Sequence, residues 1–373
     1  MPNDDAPARQ PAPGGPFPAD GPPPTAGSPP STRWRAGTVA LLVAGAALSM
    51  SPTVAVPLRF DLQAHRGGMA LRPENTLEAF GNALRLGVST LELDVQITRD
   101  GHAVVTHDRR VDAAKCADTG PATPADPRFP YVGKFVNTLT LAQVRTLDCG
   151  SRAAAGFPGQ RVAPGARMPL LREVFDLVRR HRADDVTLNV ETKVEAGAPD
   201  QTAPREQFVS VVVDEIRTAG MLGRVIVQSF DWGALRLIRQ VEPRLPICAL
   251  TDPGFLQVGR PGASPWLGGL DIDDFDGDPV AAIRSFGAGA MSPVHGLPRT
   301  AAVTDPAYRP YVTRDLVRRA HRHGIKVLPW TVNDPATMAK LIDDGVDGLI
   351  TDRPDVLRTV LADRGMELPR SYP

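Results

Sequence analysis

The chain has 373 residues, 42% of them apolar and 23% charged, which is enough to bury one large core or two ordinary ones. Its 42 Lys and Arg are balanced by 42 Asp and Glu, so there is no basic surplus for a phosphate backbone and nucleic acid is not expected as a partner. The three cysteines, Cys116, Cys149 and Cys248, lack the paired spacing of a zinc site; Cys116 and Cys149 share one segment and could pair in an oxidising compartment.

Residues 1–33 are rich in Pro, Gly, Ala and Ser and read as a disordered leader that cannot bury a core. Arg33 and Arg35 then precede an apolar run over 37–50, and Thr53-Val54-Ala55 fits a small-x-small cleavage site. The run falls short of the roughly 20 residues that a spanning helix prefers. Residues 34–56 are therefore expected to be a secretory signal or a retained membrane anchor. The chain is accordingly expected to be exported, either secreted or held on the outer face of the membrane.

From residue 57 to 373 strand-like and helix-like stretches alternate. Short apolar or β-rich runs cover 61–64, 90–95, 187–190, 225–228, 247–250, 289–291, 326–330 and 348–350. Between them Leu171, Val174, Phe175 and Val178 fall at helical spacing, as do Phe208, Val212 and Ile216. Asn75 followed by Glu78 predicts a capping box for the first helix, and Gly87, Gly220 and Gly345 stand where helices should stop. Eight such units predict an α/β fold, a (β/α)8 TIM barrel. An open doubly wound sheet is the alternative, but no Gly-rich phosphate loop follows the first strand. Residues 111–167 break the rhythm and are expected to form an insertion after the second strand, packed over the barrel mouth.

Four places put charged groups where a buried strand should be apolar. His65-Arg66-Gly67 ends the first strand. In Leu91-Glu92-Leu93-Asp94-Val95, Glu92 and Asp94 share one face because side chains alternate. In Asn189-Val190-Glu191-Thr192-Lys193, Asn189, Glu191 and Lys193 share another. Thr106-His107-Asp108 follows a strand-like 103–105 and the turn Arg99-Asp100-Gly101. Neighbouring carboxylates inside a barrel repel and lose hydration, so they call for a cation. Three carboxylates without a thiolate suit a hard divalent metal, Mg²⁺ or Ca²⁺. The histidines are then free for proton transfer, and Arg66 and Lys193 supply fixed positive charge suited to phosphate. Each set alone could be a structural ion pair; four sets at strand ends with one compatible chemistry favour a site.

These stretches resemble a known family. Ala64-His65-Arg66-Gly67-Gly68, Arg72-Pro73-Glu74-Asn75-Thr76 and Ala79-Phe80 are similar to the opening signature of the glycerophosphodiester phosphodiesterases. Glu92-Leu93-Asp94-Val95, Thr98-x-Asp100-Gly101 and Val105-Thr106-His107-Asp108 continue it, and Asn189 to Lys193 resembles the next strand. Gln228-Ser229-Phe230, Trp330-Thr331-Val332-Asn333, Gly345-Val346-Asp347-Gly348 and Thr351-Asp352-Arg353-Pro354 resemble the later ones. The resemblance implies Glu92, Asp94 and Glu191 as metal ligands and His65 and His107 as an acid/base pair. It implies Arg66 and Lys193 as phosphate contacts and Trp330 as a pocket aromatic.

The implied activity is metal-dependent hydrolysis of small glycerophosphodiesters to glycerol 3-phosphate and an alcohol. A lysophospholipase D-type enzyme, brought to a membrane by the N-terminal segment, is the second reading. A non-catalytic binding barrel is a third, and it would expect losses among the key positions that are not seen.

Overall fold

The computed structural model describes residues 59–373; the expected leader and the signal or anchor lie outside the described residues. Strand β1 (Asp61–Ala64) leads through helix α1 (Leu77–Leu86) to β2 (Thr90–Ile97), which hairpins into β3 (Ala103–Val105). The short α2 (Leu141–Val144) and then α3 (Leu171–Arg180) precede β4 (Thr187–Thr192). Next come α4 (Arg205–Thr218), β5 (Val225–Ser229), α5 (Trp232–Val241), β6 (Ile247–Thr251) and the short α6 (Pro253–Leu256). Helix α7 (Pro279–Ser285) and β7 (Ala290–Pro293) are followed by a small ribbon of β8 (Gly296–Leu297) and β9 (Arg309–Pro310). The chain ends with α8 (Arg314–Arg322), β10 (Lys326–Val327), α9 (Pro335–Asp343), β11 (Gly348–Thr351) and α10 (Pro354–Asp363).

Eight strands are parallel, in the order β10-β7-β6-β5-β4-β2-β1-β11, and β3 alone runs antiparallel on β2. The two ends of that order meet: Asp347 N–H donates to Val327 O at 3.0 Å and Ile350 N–H to Pro329 O at 2.9 Å. The sheet is thus a nearly closed (β/α)8 barrel. The expected strand over 326–330 is shorter than predicted, with only an isolated bridge from Val294 to Trp330 beyond Val327.

Alternation decides what faces where. In β2 every residue is buried, yet Leu91, Leu93, Val95 and Ile97 join the apolar core beneath the helices while Glu92, Asp94 and Gln96 occupy the other face. The helices supply the matching surface: Leu171, Val174, Phe175 and Val178 of α3 and Phe208, Val212 and Ile216 of α4 are all buried. Gly87 closes α1 in a positive-φ conformation, and Gly220 and Gly345 adopt the same region past α4 and α9.

The start of α1 differs from expectation. Thr76, not Asn75, is the N-cap, and its side chain accepts from Ala79 N–H. Asn75 instead sits at φ 56 and its amide bonds Asp94. A side chain good at capping is here taken by a buried carboxylate.

Within residues 111–167, Val111, Tyr131, Val136, Leu139, Val144 and Leu147 pack with Val104, Met168 and Leu170 in a small second cluster. Cys116 and Cys149 form a disulfide across it, and Cys248 is buried and free. Of the four aromatics in this segment, Tyr131 is fully buried, Phe135 lies under the Arg110 guanidinium, Phe157 is partly buried and Phe129 is exposed. No helix among the described residues is long and apolar enough to cross a membrane.

Candidate active site

The barrel's alternation and parallel register bring the acidic residues together. Asp94 on β2 pairs in register with Glu191 on β4, and Glu92 lies two residues earlier on the same face of β2. The ligand atoms of Glu92, Asp94 and Glu191 all lie within 4.8 Å of one another, and all three residues are buried. Asp94 Oδ1 is buried with no hydrogen-bond donor on it. An all-oxygen set with one oxygen left over fits a hard divalent ion. These three residues could hold a metal.

Four of the other five oxygens accept hydrogen bonds, which holds the carboxylates in place. Gln228 Nε2 donates to Glu92 Oε1 at 2.8 Å, and the Arg66 backbone N–H donates to Glu92 Oε2 at 2.8 Å. Asn189 Nδ2 in turn bonds Gln228 Oε1 and Gln63 Oε1, both at 2.9 Å, so amides from three strands fill the barrel below the acids. Asn75 Nδ2 donates to Asp94 Oδ2 at 2.9 Å. Lys193 Nζ donates to Glu191 Oε1 at 2.8 Å and stands 3.7 Å from Asp94 Oδ1.

The turn after β1 is sterically demanding. Arg66, Gly67 and Gly68 all have positive φ, a conformation that costs a non-glycine residue energy and recurs at functional sites. A Cβ on Gly67 would meet Ala79 Cβ at 2.8 Å, so α1 packs where only glycine fits. The turn aims the Arg66 N–H at Glu92 and its side chain at Asp94, with Nε 3.3 Å from Oδ2. Arg66 Nη1 also donates to Glu74 Oε2 at 3.1 Å.

Each expected histidine is held through Nδ1 by a carboxylate. His65 Nδ1 is 2.5 Å from Asp352 Oδ1, and its Nε2 is 4.0 Å from Glu92 Oε2. Asn333 Nδ2 holds the other Asp352 oxygen at 2.7 Å. His107 Nδ1 is 2.8 Å from Asp108 Oδ1. Strand β3 delivers His107 to the site: Gly101 makes the turn at φ 82, and Thr106 N–H donates to Asp94 O at 2.9 Å. The two rings are shifted in opposite directions. Burial and Arg66 favour neutral His65, but Asp352 and Glu92 outweigh them and raise its pKa. Burial, Lys193 and Arg66 push His107 down to about 4.

A cavity of about 760 Å³ opens onto Arg66, His107, Glu191 and Lys193. One wall is aromatic: the rings of Trp330 and Phe230 are 5.4 Å apart, Phe230 and Phe255 4.7 Å, and Phe255 and Trp266 4.5 Å. Trp330 Nε1 donates to Ser292 O at 2.9 Å, and the Arg299 guanidinium lies 5.7 Å from the Trp330 ring.

All eight residues singled out from the sequence therefore lie in or beside one barrel-mouth cluster. Asp352, Asp108, Asn75, Gln228 and Lys115 were not assigned roles there. Asp352 had a readable signal, because a carboxylate following the last strand must approach His65 once β11 pairs with β1, where Ala64 faces Thr351.

The model of the glycerophosphoryl diester phosphodiesterase family matches residues 65–356. A glycerophosphodiester phosphodiesterase of Caldanaerobacter subterraneus subsp. tengcongensis is 30% identical over 294 residues, covering 79% of this chain and 94% of that protein. One from Bacillus subtilis is 26% identical over 330 residues, covering 87% and 94%. The crystal structure of a protein from Silicibacter pomeroyi, assigned to the same diesterases, superposes with a TM-score of 0.67 at 30% identity, covering 83% of this chain and 96% of that one.

The acidic cluster carries a stability signature. Burial first, then repulsion from Asp94, pushes Glu92 up to about 8, against the opposing pull of His65. Burial also opposes ionisation of Asp94, but Arg66, His107 and Lys193 outweigh it and hold that carboxyl far below the usual range. A raised carboxyl means the folded protein holds a proton that the unfolded chain releases. That contribution is complete below the ordinary value of 4.5 and is lost as pH rises toward about 8. His65, also raised, adds a loss of the same sign as pH climbs. His107, held down at about 4, contributes the opposite sign up to its ordinary value of 6.5, so the expectation is a difference between two proteins: in metal-free buffer Glu92→Gln should lose less melting temperature than the wild type as pH rises from 4.5 to about 8. Equal slopes for the two proteins in parallel thermal melts would contradict this charge assignment.

Proposed function

The chain belongs to the glycerophosphoryl diester phosphodiesterase family, and from that premise we propose that it hydrolyses glycerophosphodiesters to glycerol 3-phosphate and an alcohol, with a divalent metal and histidine acid/base catalysis. The observation that carries the reading is one cluster: three buried carboxylates, with His65 and His107 beside them and Arg66 and Lys193 paired onto them. Glu92, Asp94 and Glu191 would hold the metal, Ca²⁺ or Mg²⁺. When bound, such an ion supplies Lewis-acid polarisation of a phosphoryl oxygen.

The protein's own groups do the rest. Arg66 and Lys193 place fixed positive charge beside the acids, where it offsets charge that develops on phosphoryl oxygens. His107, with its depressed pKa, is unprotonated at neutral pH and can take the proton from the attacking oxygen. Asp108 on Nδ1 leaves Nε2 for that task. His65, with its raised pKa and Asp352 on Nδ1, retains a proton that Nε2 gives to the leaving alcohol oxygen. One water is consumed, the P–O bond to the alcohol breaks, and the two histidines exchange protonation states before resetting. The aromatic wall from Trp330 to Trp266 gives the substrate's carbon skeleton an apolar face.

That same wall is the feature that favours a lipid substrate. Against it, Phe129 and Val162 are the exposed large hydrophobics of residues 111–167, a thin rim for docking on a membrane. Small glycerophosphodiesters are therefore the first choice.

We also infer that the protein works outside the cytoplasm, secreted or anchored by residues 34–56. The Cys116–Cys149 disulfide supports this, because such bonds persist in oxidising compartments. Fractionated cells should yield the protein in the medium or with the membrane; recovery in the cytoplasm would contradict the inference.

The purified protein should release glycerol 3-phosphate from glycerophosphocholine with Mg²⁺ or Ca²⁺ and stop with chelator. His107→Ala and His65→Ala should each lower kcat by about 100-fold or more. Near-normal turnover by His107→Ala, or indifference to chelator, would sink the mechanism. Choline released from lysophosphatidylcholine alone would move the choice to the lipid reading.

A further inference from the structure

The residues that hold the histidine and the arginine are themselves held, and by a part of the chain outside the barrel strands. Lys115 Nζ donates to Glu74 Oε1 at 2.9 Å and to Asp108 Oδ2 at 2.5 Å. The other oxygen of Asp108 holds His107 Nδ1, and the other oxygen of Glu74 takes Arg66 Nη1. Among the described residues Lys115 is the one side chain that hydrogen-bonds both carboxylates. It links the base of the reaction to a phosphate contact without lining the cavity that those two groups face.

Its backbone is pinned close by. Lys115 N–H and Cys116 N–H both donate to Asp112 O, at 3.1 and 2.8 Å. The next residue, Cys116, is bonded to Cys149. Ala117 and Asp148 then exchange both backbone hydrogen bonds, at 2.8 and 2.9 Å. The lysine stem thus leaves a stretch tied twice to the far side of its own segment. A lysine side chain loses much rotamer freedom when both its ends are fixed, so a fixed backbone lowers the cost of keeping Nζ between its two acids.

We propose that Lys115 is a positioning residue that sets His107 through Asp108 and Arg66 through Glu74, and that the Cys116–Cys149 disulfide keeps it in place. Without the ammonium, Glu74 and Asp108 lose the cation they share. Asp108 is then free to turn from His107, and Glu74 loses the partner that holds its carboxylate against Arg66. The disulfide thereby acts on the chemistry through a single side chain, beyond any effect on the segment's stability. The inference rests on the hydrolytic reading given above.

The test compares wild type, Lys115→Met and Lys115→Arg, each oxidised and each reduced with a phosphine, for turnover of glycerophosphocholine with Mg²⁺ or Ca²⁺. Lys115→Met should lower kcat by about 10- to 100-fold, the range typical of groups that orient a metal site's residues. Lys115→Arg keeps the charge and the reach and should recover most of that loss. Reduction should slow the wild type toward the rate of oxidised Lys115→Met and leave Lys115→Met itself unchanged, because both changes remove one interaction. A merely structural lysine would give no rescue by arginine and additive losses on reduction. Unchanged kcat in Lys115→Met, or an equal further loss on its reduction, would overturn the proposal. No turnover by oxidised wild type would instead overturn the hydrolytic reading, and this inference with it.

Discussion

Three carboxylates buried within 4.8 Å of one another repel, and much of the barrel mouth answers that repulsion. The pleat of β2 and the register with β4 force Glu92, Asp94 and Glu191 onto one inner face. Each acid is then neutralised or hydrogen-bonded from a different direction. Lys193 comes from just past the end of the strand that carries Glu191, Arg66 from the turn after β1, Asn75 from the entry to α1, and Gln228 from β5. Two cations beside three acids still leave a deficit of positive charge, expressed in the upward shift of Glu92 and in the unpartnered Asp94 oxygen. A divalent ion held by Glu92, Asp94 and Glu191 would remove both at once.

The left-handed turn at Arg66 and Gly67 serves the same end. It is an expensive conformation, and the packing of Gly67 on Ala79 leaves no room for an ordinary side chain. In return the Arg66 backbone and side chain both reach the acids. The histidines are held by carboxylates outside the cluster, Asp352 and Asp108, and so can keep opposite protonation tendencies a few ångströms from the same charges. Environment, not residue type, shifts the two rings in opposite directions.

Much of this was legible in the sequence because it violates local expectation. Carboxylates spaced by two in Leu91–Val95, and again a polar set in Asn189–Lys193, contradict an ordinary buried strand. Such a conflict marks a site. The alternation of strands and helices followed from short β-rich runs, and the helix faces of α3 and α4 from helical spacing. Other parts depend on closure in space. Asp352 lies 287 residues from His65 and meets it only because β11 closes on β1. Asn75 looked like a helix cap because asparagine caps well, and nothing local shows that Asp94 claims its amide instead. Lys115 sits in a stretch with little periodicity, where only the folded segment and its disulfide show what the side chain reaches.

Glu92, Asp94 and Glu191 are proposed to form a single divalent-metal site. Calorimetric titration of Mg²⁺ and of Ca²⁺ into metal-free protein, wild type and Asp94→Asn, tests it without reference to any substrate. One ion per chain is expected for at least one of the two metals in the wild type, with binding lost or greatly weakened in the variant. Absence of binding by the wild type, or identical binding by both proteins, would contradict it.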